Sequence, residues 1–132
     1  CSLWHMNYEE ELRFKREKVR RELKKAGADV DFEAVVRGKT TGYRNKAQYP
    51  VREKGGKIAV GFYRRASHDV AEGRCRIQPD IFCSIADAVR DYMEQNGISA
   101  YNEQTLCGTV RHIFLRASHD FSQIMLCGKR QL

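Results

Sequence analysis

Proline is scarce in this sequence, with two residues in 132, tryptophan occurs once, and long apolar runs are missing. With 42% apolar and 31% charged residues, these scarcities exclude disordered, collagen-like and low-complexity chains. No stretch approaches the ~18 consecutive apolar residues of a membrane span, so no membrane partner is expected. No secretory or transit segment is visible. The five cysteines, Cys1, Cys75, Cys83, Cys107 and Cys127, are odd in number, widely spaced and without a C-x-x-C pair. That argues against a disulfide framework or a self-contained zinc knuckle and makes the cytoplasm the expected compartment. No Gly-rich phosphate loop follows a strand, and no Gly-x-Ser-x-Gly elbow occurs. His5, His68, His112 and His119 lack metal-ligand spacing. The pairs His68-Asp69 and His119-Asp120 are adjacent, so on a strand they point to opposite faces and form no orienting dyad.

What is present is an uneven basic charge. The chain carries a net +7, and from Arg37 to Arg76 eleven basic residues face only Glu53, Asp69 and Glu72. The rest of the chain is slightly acidic. A basic segment inside a near-neutral remainder suits a polyanion; the alternative is a solvated basic face with no partner. The length fits one domain, taken as residues 1–132. Beginning at Cys1 without methionine and ending on Gly-Lys-Arg-Gln-Leu, the chain reads as part of something longer.

Asn7, with Glu10 three residues on, predicts a capped helix whose apolar face is Tyr8, Leu12, Val19, Leu23 and Ala26 and whose C′ residue is Gly27. From Thr40 the period becomes two. Tyr43, Asn45, Ala47, Tyr49 and Val51 share one strand face, and Arg44, Lys46, Gln48 and Arg52 the other. Lys54-Gly55-Gly56 predicts a turn into a second strand, Lys57 to Arg65. Pro50 predicts that the first strand lies at a sheet edge or near a bulge. A second helix is expected from Gln78-Pro79 to Gly97, with Ile81, Ile85, Ala88, Val89 and Tyr92 as its apolar face. Val110–Arg116 and Phe121–Leu126 read as another hairpin. Arg-Ala-Ser-His-Asp occurs at 65–69 and 116–120, too short for a duplication. The sum is an α+β domain: an antiparallel sheet built from two hairpins, flanked by two helices.

The first hairpin carries the candidate site. Arg44, Lys46 and Arg52 can track a phosphate backbone, and Arg64 and Arg65 extend the basic run. Tyr43, Tyr49, Phe62 and Tyr63 are interleaved, and aromatics beside cations allow stacking on unpaired bases, although Tyr49 and Phe62 read better as core. Asn45 and Gln48 suit base edges or riboses. Ser67 and His68, at the far end of the second strand, could reach a phosphate.

Four segments carry a resemblance. Gly42-Tyr43-Arg44-Asn45-Lys46-Ala47-Gln48-Tyr49-Pro50-Val51 resembles the Y-R-N-K/R segment of the RNA 5-methyluridine (uracil-5-) methyltransferases, the TrmA/RumA-like family. Gly61-Phe62-Tyr63-Arg64-Arg65-Ala66-Ser67-His68 resembles its G-F-Y-x-x-x-S-H, and Cys75-Arg76-Ile77-Gln78 its C-x-I-Q. Cys1-Ser2-Leu3-Trp4-His5-Met6-Asn7-Tyr8 is similar to the run after its C-G-G-C motif. The match is strong over residues 1–78 and looser beyond.

The resemblance implies a parent enzyme that uses S-adenosylmethionine to methylate C5 of a uridine after a cysteine thiolate adds to C6. It implies that this chain is the central, RNA-contacting domain. The RNA-binding TRAM domain and the catalytic domain are expected as partners outside it, so the chain alone is expected to be inactive and without catalytic residues. RNA, above all 23S rRNA, is the implied substrate. The family's rRNA branch often carries a 4Fe-4S cluster, and by position Cys1 and Cys75 would be two of its four ligands, a set too small to hold a cluster in this chain. The competing readings are a stand-alone RNA-binding module, a tRNA-directed member of the same family, and a structural domain whose basic face holds neighbouring domains.

Overall fold

The computed structural model describes residues 3, 5–31, 33–121 and 123–129. They fall into two compact units, Cys1–Thr40 and Thr41–Leu132. The first unit is built on helix α1 (Tyr8–Lys25). The predicted capping box is present: Asn7 Oδ1 accepts the Glu10 N–H at 2.9 Å, and the Glu10 carboxylate accepts the Asn7 N–H at 3.2 Å. Gly27, at φ +80°, closes the helix as a Schellman motif, its own N–H returning to the Lys24 carbonyl and that of Ala28 to Leu23. No residue of α1 is buried within the chain. The segment that follows folds back onto the start of the helix, where Arg37 forks the Glu9 carboxylate at 2.5 and 2.7 Å and the Gly38 N–H donates to the Tyr8 hydroxyl at 3.0 Å.

The second unit contains strands β1 (Lys46–Lys54), β2 (Lys57–Val60), β3 (Phe62–Tyr63) and β4 (Val70–Ala71), helix α2 (Asp80–Gln95), and strands β5 (His112–Ala117) and β6 (Ile124–Lys129). The two expected hairpins, β1–β2 and β5–β6, join through antiparallel β1–β5 pairing into a four-stranded sheet of order β2-β1-β5-β6. The α+β class is therefore as the periodicity indicates. Gly55 and Gly56, at φ +59° and +76°, supply the two left-handed positions of a tight hairpin turn. Ala47, Tyr49 and Val51 of β1, Ile58 of β2 and Ile113, Leu115 and Ala117 of β5 form the buried side of the sheet. Phe82, Ala86 and Met93 of α2 complete that core.

Four expectations change. The strand from Lys57 to Arg65 is broken at Gly61, after which Phe62–Tyr63 pairs with Val70–Ala71 instead. A Cβ at Gly61 would stand 2.1 Å from the Ala71 carbonyl oxygen, so only glycine permits this approach. Secondly, β1 is not an edge strand. It pairs with β5 over Lys46–Pro50 and with β2 over Val51–Lys54, and Pro50 sits where it changes neighbour. The Pro50 carbonyl accepts the Gly61 N–H at 3.4 Å, so the donor that proline lacks falls where β2 stops. Thirdly, Tyr43 and Asn45 precede β1 and are exposed rather than sharing its buried face.

Lastly, α2 turns a neighbouring stripe inward. Phe82, Cys83, Ala86 and Met93 are buried, while Ile81, Ala88 and Tyr92 are exposed, and Ile85 and Val89 lie between. The helix has two adjacent apolar stripes, and the one that meets the buried side of the sheet is Phe82, Ala86 and Met93, with Ile85 and Val89 at its margin. Its ends fall as expected, at Pro79 and at Gly97, which closes a second Schellman motif. The two Arg-Ala-Ser-His-Asp copies differ in backbone: Ala66 is left-handed at φ +54°, whereas Ala117 ends β5.

Candidate nucleic-acid interface

Because alternate residues of β1 fill the core, those between them line the opposite face of the sheet. Directly opposed residues on antiparallel strands share a face, and the register pairs Lys46 with Arg116, Gln48 with Phe114 and Pro50 with His112. Lys46, Gln48 and Arg116 are exposed, and His112 and Phe114 are half-buried. On β6, Met125 stands opposite Arg116 and is 65% exposed. No acidic residue occurs in β5, in β6 or in β1 up to Arg52. The face is thus basic and aromatic.

The predicted site residues divide by place. Tyr43, Arg44 and Asn45 lie exposed just ahead of β1. Their backbone is fixed to the Cys75–Gln78 segment: the Gly42 N–H donates to Arg76 O and the Arg44 N–H to Ile77 O, both at 2.9 Å. Beneath this junction the Tyr49 hydroxyl donates to the Gln78 side-chain oxygen, both residues being almost fully buried. Burial, followed by the nearby Cys83 thiol, raises the Tyr49 phenol well above its ordinary value of 10.0. Two segments far apart in sequence therefore form one platform.

Arg52 lies on the sheet face but is committed. It is 15% exposed, and its guanidinium donates to Glu103 at 2.5 Å and to the Tyr63 hydroxyl at 2.8 Å. The same carboxylate accepts from Arg111 at 3.0 Å and from His68 Nδ1 at 2.8 Å. The His68 hydrogen bond first, then those of Arg111 and the charge of Arg52, hold Glu103 below the usual carboxylate range against the opposing effect of burial. His68 is otherwise 80% exposed. Arg64 is turned to Asp69 at 3.1 Å and, with Lys54 and Arg90, lines a groove between the β2–β4 region and α2, away from Lys46. Arg65 is exposed in the adjoining turn, and Ser67 Oγ accepts the Asp69 N–H at 2.8 Å, fixing that turn. The structure thus gathers Lys46, Gln48, Arg52 and His68 on one face, places Tyr43, Arg44 and Asn45 at its approach, and separates Arg64.

Sequence reasoning missed Glu103, Arg111, His112, Phe114 and Arg116. The alternation His112-Ile113-Phe114-Leu115-Arg116 already separates a polar face from a core face. What it does not reveal is that β5 lies beside β1.

Of the two implied cluster ligands, Cys75 is half-buried and Cys1 lies outside the described residues. Among the described residues no three cysteine, histidine or carboxylate side chains converge as a metal site. They do not supply the four thiolates a 4Fe-4S cluster takes. None of the described helices is long and apolar enough to cross a membrane.

No family model matches the chain. Over 96% of its length it is 39% identical to an uncharacterized RNA methyltransferase of Clostridium acetobutylicum, 38% to one of Bacillus cereus and 34% to one of Listeria monocytogenes. The chain spans only 28–29% of these relatives. Among solved structures it is similar, with a TM-score of 0.78, to the Pyrococcus abyssi tRNA (uracil-54, C5)-methyltransferase crystallised with S-adenosyl-L-homocysteine. That likeness covers all of this chain and 31% of the other at 23% identity, and it speaks for the fold.

Proposed function

We propose that this chain, a segment homologous to bacterial RNA methyltransferases, is the central RNA-contacting domain of an enzyme that methylates C5 of a uridine in 23S rRNA. The observation that carries this reading is the pair Lys46 and Arg116. They stand directly opposite each other on adjacent strands, exposed, with no carboxylate partner among the described residues. Like charges so placed cost about 0.2–1 kcal/mol. A phosphate between them turns that repulsion into two charge-assisted contacts.

The chain's own residues then hold and orient RNA. Lys46 and Arg116 take phosphates. Gln48, beside Phe114, and Asn45 and Arg44 at the approach to the sheet address riboses or base edges. Arg52 positions Tyr63 and the Glu103 loop rather than contacting RNA itself. The methyl donor, S-adenosylmethionine, supplies the methyl group in the parent enzyme. The thiolate that adds to C6 and the base that removes the C5 proton belong to its catalytic domain, and a TRAM domain is the other proposed intramolecular partner. The cytoplasm follows as the proposed compartment.

The test is nucleoside mass spectrometry after incubating the full-length protein with S-adenosylmethionine and either 23S rRNA transcripts or tRNA. The reading predicts 5-methyluridine in the rRNA. Product confined to tRNA reassigns the protein to the tRNA-directed branch. Tight RNA binding with no 5-methyluridine in either contradicts the enzymatic assignment.

A further inference from the structure

The sheet face holds a contiguous row of four rings. The Tyr63 ring lies 5.6 Å from His68 and 6.4 Å from His112, and the His112 ring lies 5.9 Å from Phe114. Their planes are inclined at 45–83°, so no ring is stacked face to face on its neighbour. Tyr63 is 40% exposed. One end is pinned: Arg52 lies over the Tyr63 ring at 5.5 Å and donates to its hydroxyl, while Glu103 holds Arg52, Arg111 and His68 together. The other end meets Gln48, the residue opposite Phe114, and then the Lys46–Arg116 pair.

The geometry points to a stacking shelf for an unpaired RNA segment, with bases laid against Tyr63, His112 and Phe114 and the backbone drawn over Lys46 and Arg116. This deepens the proposed function and rests on it, since it takes RNA as the occupant. Such a segment is complementary to this face in both charge and ring surface. The face joins exposed cations to a row of partly exposed aromatic rings and carries no acidic residue on β5, β6 or the Lys46–Arg52 stretch of β1. A duplex presents phosphates but keeps its bases stacked inside, so it could use the cations and not the rings. A single strand uses both. The shelf is preorganised, because the Glu103 hub and the sheet register fix its ring positions before RNA arrives.

The test compares two unstructured RNA oligonucleotides of equal length, one with normal bases and one with three consecutive abasic sites, by fluorescence anisotropy on this chain. Equal phosphate number cancels the charge contribution. The shelf predicts at least about tenfold tighter binding of the normal strand, since stacking is lost at every abasic position. In Phe114→Leu, which retains an apolar side chain beside the core, that ratio should shrink several-fold, with circular dichroism showing the fold intact. Tyr63→Leu is the second variant should Phe114→Leu unfold. Salt-dependent binding that is equal for both strands overturns the shelf while leaving the RNA-contacting reading standing. Absence of salt-dependent RNA binding overturns both, and the sheet face is then a docking surface for a neighbouring protein domain.

Discussion

Removing one oxygen atom tests how the two distant segments are joined. In Tyr49→Phe the ring stays in the core, 5.3 Å from Phe62, but the Gln78 side-chain oxygen loses the donor it has in the folded chain. Tyr49 is 3% exposed and Gln78 5%, so water does not readily replace the lost bond. An unsatisfied buried acceptor costs about 1–3 kcal/mol. With a urea m-value of about 2 kcal/mol per M for a small protein, the unfolding midpoint should fall by about 0.5–1.5 M. The double variant Tyr49→Phe/Gln78→Met removes the stranded polar group at nearly constant volume and should recover much of that loss. Urea titrations followed by far-UV circular dichroism measure all three proteins. A midpoint for Tyr49→Phe within about 0.2 M of the parent would refute the claim that this bond ties Cys75–Gln78 to β1.

The same phenol gives an alkaline signature. Its value is raised in the folded chain above the ordinary 10.0, so the unfolded chain ionises first, and stability should fall as pH rises beyond about 10, less steeply in Tyr49→Phe. Glu103 behaves oppositely. Its lowered value contributes stability that is present above the ordinary carboxylate range and lost as pH falls through it, so Glu103→Gln should flatten the acid limb of a denaturation profile and cost about 1–2 kcal/mol at neutral pH. Gly61→Ala must push the Ala71 carbonyl away, and thermal unfolding should show a loss of about 1–3 kcal/mol with β3 and β4 separated.

Local chemistry made much of this fold legible. Asn7 and Glu10, Gly27, Gly55-Gly56 and Gly97 mark their caps and turns because each solves a hydrogen-bond or backbone problem within a few residues. What escaped depends on neighbours remote in sequence. Pro50 looks like an edge residue until β5 is found beside β1, and Gly61 looks like an ordinary strand position until Ala71 lies against it. The two apolar stripes of α2 are equivalent by period, and only the sheet beneath decides that Phe82 and Met93 go in while Tyr92 stays out. The candidate site follows the same division. Lys46 and Gln48 are readable from alternation along β1, but their companions Arg116 and Phe114 come from a strand more than sixty residues away. Arg52 is readable on that face from alternation, but the Glu103 carboxylate that engages it lies in a loop with no periodic signal.

Whether the Lys46–Arg116 face meets RNA is tested from both sides by one substitution. Lys46→Glu places a carboxylate opposite Arg116, so the folded chain should become more stable by about 0.2–1 kcal/mol as repulsion becomes attraction. RNA affinity should nevertheless fall at least about tenfold, with a shallower dependence on salt, because two phosphate contacts are lost together. Fluorescence anisotropy with an rRNA stem-loop, at two salt concentrations beside the parent chain, measures it. Affinity and salt dependence unchanged in a folded Lys46→Glu would contradict the account and leave this face without a role in binding RNA.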